Sequence, residues 1–236
     1  MKVAIMQPYF FPYLGYFQLI HAIDAFVVYD DVNYIKGGWI NRNFILSKGE
    51  KTRITLQLFG ASPNKLINQV EVGSNSLKLL KTIQQSYSRA PYYQDVMNLI
   101  EEILRSKETN LALFLNFSLR KICDYLGLKR EWYLSSDLDK DTSLQGQKKV
   151  LAVCKELGAT HYINMLGGRE LYDNTSFTDY GFQLSFLEAF MKPYNQQNNQ
   201  FIPNLSIIDA LMHNCLMDLK AMLNDYELVK GKLLSI

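Results

Sequence analysis

At 236 residues, 48% hydrophobic and 20% charged, the chain has the composition of an ordinary globular protein, long enough for one large domain or two small ones and without a disorder signature. The 25 basic and 23 acidic side chains are scattered and leave a net charge of +2, so there is neither a polybasic arm nor an acidic tail, and nucleic acid is disfavoured as the main partner. Cys123, Cys154 and Cys215 lie far apart in apolar stretches of helical character, which argues for reduced thiols and against a disulfide framework or a zinc site.

The N-terminal MKVAIMQPYFFPY lacks the unbroken apolar core and small-residue cleavage site of a secretory signal. No later run reaches the roughly 18 apolar residues of a membrane span, so a cytoplasmic protein without membrane contact is expected. Val3 to Met6 reads as a short buried strand stopped by Gln7 and Pro8, and Tyr16 to Ile23 reads as an amphipathic helix after Gly15. AFVVY, Ala25 to Tyr29, is a second buried strand, and a helix crossing between two buried strands implies a parallel, Rossmann-like βαβ start. NFILSK and TRITLQLF, separated by Gly49, Glu50 and Lys51, predict a hairpin and hence a mixed sheet.

From Ser76 to about Gly127 the apolar spacing becomes helical, with Ala90 and Pro91 as a break. Alternation then returns: the strand WYLSS, a helix over Gln147 to Leu157, the strand HYIN, a turn at Gly167 and Gly168, and the strand FQLSFL. A final helix is predicted over Asn204 to Leu223, with Ser206 and Asp209 spaced as in a capping box. NQQNNQ, Asn195 to Gln200, reads as an exposed loop. The expected fold is α/β, an open, mainly parallel sheet with a central helical insertion: residues 1–75 and 131–236 form the α/β part and residues 76–130 the insertion.

Three segments concentrate possible chemistry. QPYFFPYLGYFQ, Gln7 to Gln18, follows the first strand, where open α/β sheets collect ligands beside helix N-termini. Its aromatics between two prolines make a stiff apolar wall for a sugar or base, with Gln7 able to donate and accept hydrogen bonds; the plainer reading makes Phe10, Phe11 and Phe17 core. Gln7, Tyr9 and Tyr16 are expected on the floor of the site, and Gly15 where a ligand approaches the backbone. After the second strand, Asp30 or Asp31 could hold a ribose, a metal-bound water or an amine, and Lys36 and Arg42 a phosphate, with Trp39 and Asn41 beside them. Asn41 and Arg42 are expected to face the ligand. His161, Tyr162, Asn164, Gly167, Gly168, Arg169 and Tyr172 form the third cluster, where the glycine pair would admit a pyrophosphate or mark a plain tight turn.

His21, His161 and His213 show no metal-ligand spacing, so neither a metal site nor a cofactor is expected. There is no Gly-x-Ser-x-Gly elbow. An enzyme built on these residues would align two substrates, with Asp30, Asp31 or His21 moving a proton.

Together these segments resemble a known family. MKVAIMQPYFFPYLGYFQLIHAIDAFVVYDDVNYIKGGWINRN is similar to the start of WbqC-like proteins, ATHYINMLGGRELYD and QFIPNLSIIDALMHN are similar to their C-terminal pattern, and SYSRAPYY, with Arg89, looks familiar in the looser middle. The resemblance implies a role in bacterial O-antigen or related surface-glycan clusters, where an enzyme acylates the amine of a nucleotide-linked amino sugar. A dTDP-linked 4-amino-6-deoxyhexose is the favoured acceptor, with an activated acyl or amino-acid donor; nucleic acid enters only if that donor is a charged tRNA. A homodimer stays open. The alternative is a non-catalytic nucleotide-sugar binding or scaffolding module. A third reading is a class I synthetase-like nucleotidyltransferase, but Gly15-Tyr16-Phe17-Gln18 lacks the histidines such enzymes carry at the first helix.

Overall fold

The computed structural model describes residues 1–197 and 200–230. Its centre is a six-stranded sheet built from β1 (Lys2–Met6), β2 (Ala25–Val28), β7 (Glu131–Leu134), β8 (His161–Met165), β9 (Gln183–Ala189) and β10 (Tyr226–Lys230). The strands lie in the order β10-β9-β8-β1-β2-β7, all parallel except β10, which runs antiparallel along β9. From β1 the chain moves outward through β2 to β7, then returns to the other side of β1 with β8. That reversal opens a crevice at the carboxyl ends of β1 and β8, where ligands of doubly wound folds collect.

Strand pleating sends alternate residues to opposite faces, and both faces are buried, which is why the strands read as unbroken apolar runs. Ala4, Phe26, Val28 and Ile163 pack under α1 (Leu14–Ala22) in a core shared with α2 (Ser76–Tyr87), α3 (Tyr93–Leu104) and α4 (Leu111–Leu126). Val3, Ile5, Val27 and Tyr162 pack on the opposite face against α5 (Gly146–Glu156) and α6 (Asn174–Asp179). Two side chains fasten α1. Gln18, fully buried, donates through Nε2 to the carbonyls of Phe190, Met222 and Asp225 at 3.1, 2.8 and 2.9 Å. Arg130 donates to the carbonyls of Ile20 and His21 at 2.9 and 2.8 Å, satisfying acceptors that a helix C-terminus leaves open.

The βαβ start and the α/β class are as expected. The hairpin forms as β3 (Arg42–Ser47) and β4 (Glu50–Thr55), yet it stands as its own two-stranded sheet because Ile45 and Ile54 bury into the α1-side core. A second small sheet pairs β5 (Leu58–Phe59) with β6 (Glu71–Val72). The central sheet is therefore mixed because of β10, whose half-exposed sequence gives little strand pattern. The single final helix is in fact two, α7 (Ile207–His213) and α8 (Leu216–Met222). Ser206 caps α7 by accepting from Ile208 N at 3.3 Å, but the Asp209 side chain takes no part in the cap. NQQNNQ is not uniformly exposed either: Gln196 is fully buried, while Asn198 and Asn199 lie outside the described residues.

Candidate functional site at the carboxyl edge of the sheet

β1 delivers Gln7 and the aromatic loop to the carboxyl edge, and the loop is held there by main-chain and side-chain bonds. Tyr16 hydroxyl donates to Gln7 O at 2.8 Å, Phe10 N donates to Ile40 O at 3.1 Å, and Ile207 N donates to Pro12 O at 2.8 Å. Phe11 is buried at φ 44°, a left-handed conformation that costs a bulky side chain about 1–2 kcal/mol. Its carbonyl accepts from Asn43 Nδ2 at 2.6 Å and from Ser206 Oγ at 2.8 Å, so a strand residue and a helix cap together enforce the bend. Strain fixed in this way is typical of binding loops.

The bend opens a cleft of about 310 Å³ walled by Tyr9, Pro12, Tyr13 and Trp39, with Asn43, Lys51 and Asn204 completing it. Trp39 is 49% exposed, with its ring edge-on to Phe44 at 5.9 Å. Lys51 Nζ sits 4.4 Å over the Phe44 ring, so the ammonium is placed at the aromatic wall. Burial raises the phenol pKa of Tyr9, and burial followed by the proximity of Tyr9 raises that of Tyr13; both remain neutral donors at physiological pH. The cleft thus presents flat apolar surface, neutral hydrogen-bonding groups and one ammonium, with no carboxylate among its lining residues.

The acidic pair after β2 is engaged elsewhere. Asp30, 1% exposed, accepts from Ser136 N and Oγ at 3.0 and 2.6 Å and from Asn68 Nδ2 at 3.1 Å, tying the ends of β2 and β7 together. Asp31 is clamped between Lys149 and Lys140, whose Nζ atoms lie 2.9 and 3.1 Å from Oδ2, and both lysine side chains are almost completely buried. Lys149 also donates to Asp31 O at 2.6 Å, and Lys140 to Ser135 O. Burial alone would raise the Asp31 pKa, but the hydrogen bonds and charges of Lys149 and Lys140 outweigh it and hold the carboxyl below its ordinary value.

The other expected residues distribute as follows. Tyr9 and Trp39 line the cleft; Phe10 and Tyr16 are buried behind it. Gly15 lies in the first turn of α1, where an added Cβ would run into the Tyr13 ring and sit 3.0 Å from Ala189 Cβ, so packing explains the glycine. Asn41 spends its amide bridging Tyr34 Oη and Leu56 O at 3.0 and 2.8 Å, and its neighbour in the cleft wall is Asn43. Arg42 lies by the Gly37 turn, and Lys36 is exposed. His21 ends α1 at the amino edge of the sheet, a full strand length from the aromatic loop, with its pKa lowered by burial and then by Arg130. Tyr162, Tyr172 and Asn164 form a hydrogen-bonded chain of 3.1 and 2.8 Å on the α5 face, and burial pushes both phenol pKa values up. Gly167 and Gly168 begin a 3₁₀ turn, with open space at Gly167 and Asn164 beside Gly168. Arg89 belongs to a different pocket. Tyr13, Asn43, Lys51 and Asn204 escaped the sequence reading, as did Lys140 and Lys149.

A family model described as the WbqC-like protein family matches residues 7–220, from the aromatic loop into α8. The chain belongs to the WbqC-like family. The match takes in every residue that lines the aromatic cleft of this WbqC-like protein and the whole Asp31 clamp. A relative in Mycobacterium tuberculosis (strain ATCC 25618 / H37Rv), the uncharacterized protein Rv1507c, is 29% identical over 217 residues, 90% of this chain and 93% of the relative. No solved structure matches. Among the described residues no helix is long and apolar enough to cross a membrane, and no group of three or more potential metal ligands is found.

Proposed function

We propose that this WbqC-like protein is a transferase that acylates the amine of a nucleotide-linked amino sugar, with a glycyl or other acyl unit from an activated donor, in surface-glycan biosynthesis. The observation that carries the reading is the aromatic cleft at the carboxyl edge, where Tyr9, Tyr13 and Trp39 flank Lys51. Flat apolar walls suit a base or sugar ring, and an ammonium beside them suits the phosphates joined to it. A dTDP-linked 4-amino-6-deoxyhexose meets that description, and its amine is the nucleophile.

The cleft lining offers no carboxylate, Asp30 and Asp31 are engaged, and His21 stands at the opposite edge. The protein then contributes chiefly by aligning amine and donor carbonyl, which converts a bimolecular step into an effectively unimolecular one. The same absence of an unengaged carboxylate in the lining also favours a second reading, a binding or scaffolding module that holds the nucleotide-sugar for another enzyme.

Fluorescence decides whether the cleft binds. The chain has two tryptophans, and Trp132 packs on Phe26 with ring centroids 5.0 Å apart, so a Trp132→Phe variant isolates Trp39. Titration with dTDP-, UDP- and GDP-sugars should quench Trp39 saturably for one of them, and Lys51→Ala should weaken that ligand by about 1.5–3 kcal/mol. Absence of quenching or thermal stabilisation by any nucleotide-sugar would sink both readings. Product formation with an acyl donor separates the transferase from the module.

A further inference from the structure

α5 and α6 begin side by side, because Gln147 Oε1 in the first turn of α5 accepts from the main-chain N–H of Asp173, the cap of α6, at 2.5 Å. Between them, on the sheet face opposite α1, runs an open groove of about 570 Å³. Lys148, Leu151, Ala152 and Lys155 line its α5 bank, and Asp179 and Tyr180 line the end of its α6 bank. Positions 148, 151, 152 and 155 follow the spacing of one helix face, so the bank is a continuous stripe with an apolar centre and a lysine at either end.

The chain itself leaves this surface unmatched. Lys148, Lys155 and Asp179 are exposed and make no ion pair among the described residues. Tyr180 is 58% exposed even though its ring stacks on that of Phe182, with centroids 6.2 Å apart. A groove with an apolar centre, a protruding aromatic ring and charges of both signs therefore occur together on one small patch. An interface built on a two-fold axis needs that combination, because the same patch must supply both halves of every contact. Tyrosine is also among the few residue types that carry most of the binding energy when they fill a pocket on a partner.

We propose that this groove is a homodimer interface, with a second copy of this chain as its occupant. The charges choose the symmetry axis. A two-fold axis lying across the groove would set Lys148 of one protomer against Lys155 of its partner, and like charges brought face to face oppose association. An axis lying along the groove instead lays the α5 bank of each protomer on the α6 bank of the other. Lys155 then meets the partner's Asp179, a contact that symmetry repeats, Lys148 faces the neutral Ser176, and Tyr180 enters against Leu151 and Ala152. Exposed ion pairs add little affinity and chiefly fix register, so Tyr180 and the apolar centre of the groove supply the binding. The groove shares no lining residue with the aromatic cleft, and the dimer stands whatever that cleft holds.

Sedimentation velocity of the full-length protein over a range of concentrations tests the proposal. A monomer–dimer equilibrium is expected for the wild type. Asp179→Lys and Lys155→Glu each set like charges against one another and should weaken the dimer about tenfold or more, as should Tyr180→Ala, which removes the ring that fills the groove. All three side chains are exposed, so far-UV circular dichroism should show each variant folded as the wild type is. The decisive sample mixes the two charge variants: every contact between Asp179→Lys and Lys155→Glu chains joins opposite charges, so the mixture should dimerise where neither variant does alone. A wild type that stays monomeric at every concentration overturns the proposal and leaves the groove to a partner of different sequence. A dimer indifferent to both charge variants puts its interface elsewhere and overturns it as well, and a mixture that fails to recover dimer overturns the pairing of Lys155 with Asp179.

Discussion

Replacing Asp31 by asparagine removes the single negative charge between two buried ammonium groups without changing the shape of the side chain. Lys149 and Lys140 would keep main-chain partners, the carbonyls of Asp31 and Ser135, but would lose the carboxylate now 2.9 and 3.1 Å away. Breaking one partner out of a buried ion pair costs about 3–5 kcal/mol, and the retained carbonyl contacts and the new amide oxygen favour the lower end, about 3 kcal/mol. For a chain of this length that corresponds to a fall in Tm of roughly 6–12 °C. The pH dependence supplies the control. The folded-state Asp31 pKa is lowered, so its contribution is fully present above the unfolded-state value of 3.8 and is lost as pH falls through the lower folded-state value. Urea unfolding of wild type and variant should therefore differ most at neutral pH and converge in acid. Asp31→Asn combined with Lys149→Met should recover part of the loss, because removing both partners is less costly than stranding one. A variant within about 1 kcal/mol of wild type, or a gap that does not change with pH, would refute the clamp as a stabilising ion cluster.

Three further substitutions probe the parts that position the cleft. Phe11→Gly and Phe11→Ala both lose a buried ring, but only glycine accepts φ 44° without strain, so Phe11→Gly should be the more stable by about 1 kcal/mol in chemical denaturation; the reverse order would remove the strained bend. Gln18→Leu removes the side-chain donor from three carbonyls, of which those of Met222 and Asp225 keep main-chain donors from Asp225 N and Phe190 N, and should cost about 1 kcal/mol, read as a lowered urea midpoint with unchanged slope. Gly15→Ala pushes on the Tyr13 ring, a mobile side-chain target, so nucleotide-sugar binding in the Trp39 quenching assay should fall more than stability does.

What the sequence revealed and what it hid divide by the range of the interaction involved. β1, α1 and β2 were legible because both sheet faces are covered, and continuous apolar runs are then the direct imprint of burial. β10 was illegible because its residues alternate weakly and its strand state comes from pairing with β9. The hairpin was legible as a hairpin, but nothing local reveals that its Asn43 reaches back 32 residues to hold the Phe11 carbonyl. Tyr9 and Trp39 were found at the cleft because the carboxyl end of a strand is a positional rule. Lys51 reads in the sequence as a turn residue of the hairpin, since its place at the cleft depends on Phe44 beneath it.

Asp209 shows the same principle where local and distant partners compete. Its spacing from Ser206 suits a capping box, a contact worth of order 1 kcal/mol at a solvated helix end. The fold instead draws the carboxylate inward to Tyr87, 122 residues away, and to Tyr194 and Gln196, which together satisfy it inside the core. A buried carboxylate left without those donors would cost several kcal/mol, so once α7 packs against α2 the inward arrangement must be complete. That requirement also explains why the segment before α7 is not a free loop: Tyr194 and Gln196 are anchored by Asp209, Gln196 exchanges hydrogen bonds with Ile202 at 3.1 and 2.8 Å, and the segment then reaches Asn204 at the aromatic cleft. Asn195 and Gln197 thus line the Arg89 pocket and Asn204 the aromatic cleft, and the buried Asp209 carboxylate holds Gln196, which in turn holds Ile202, between them.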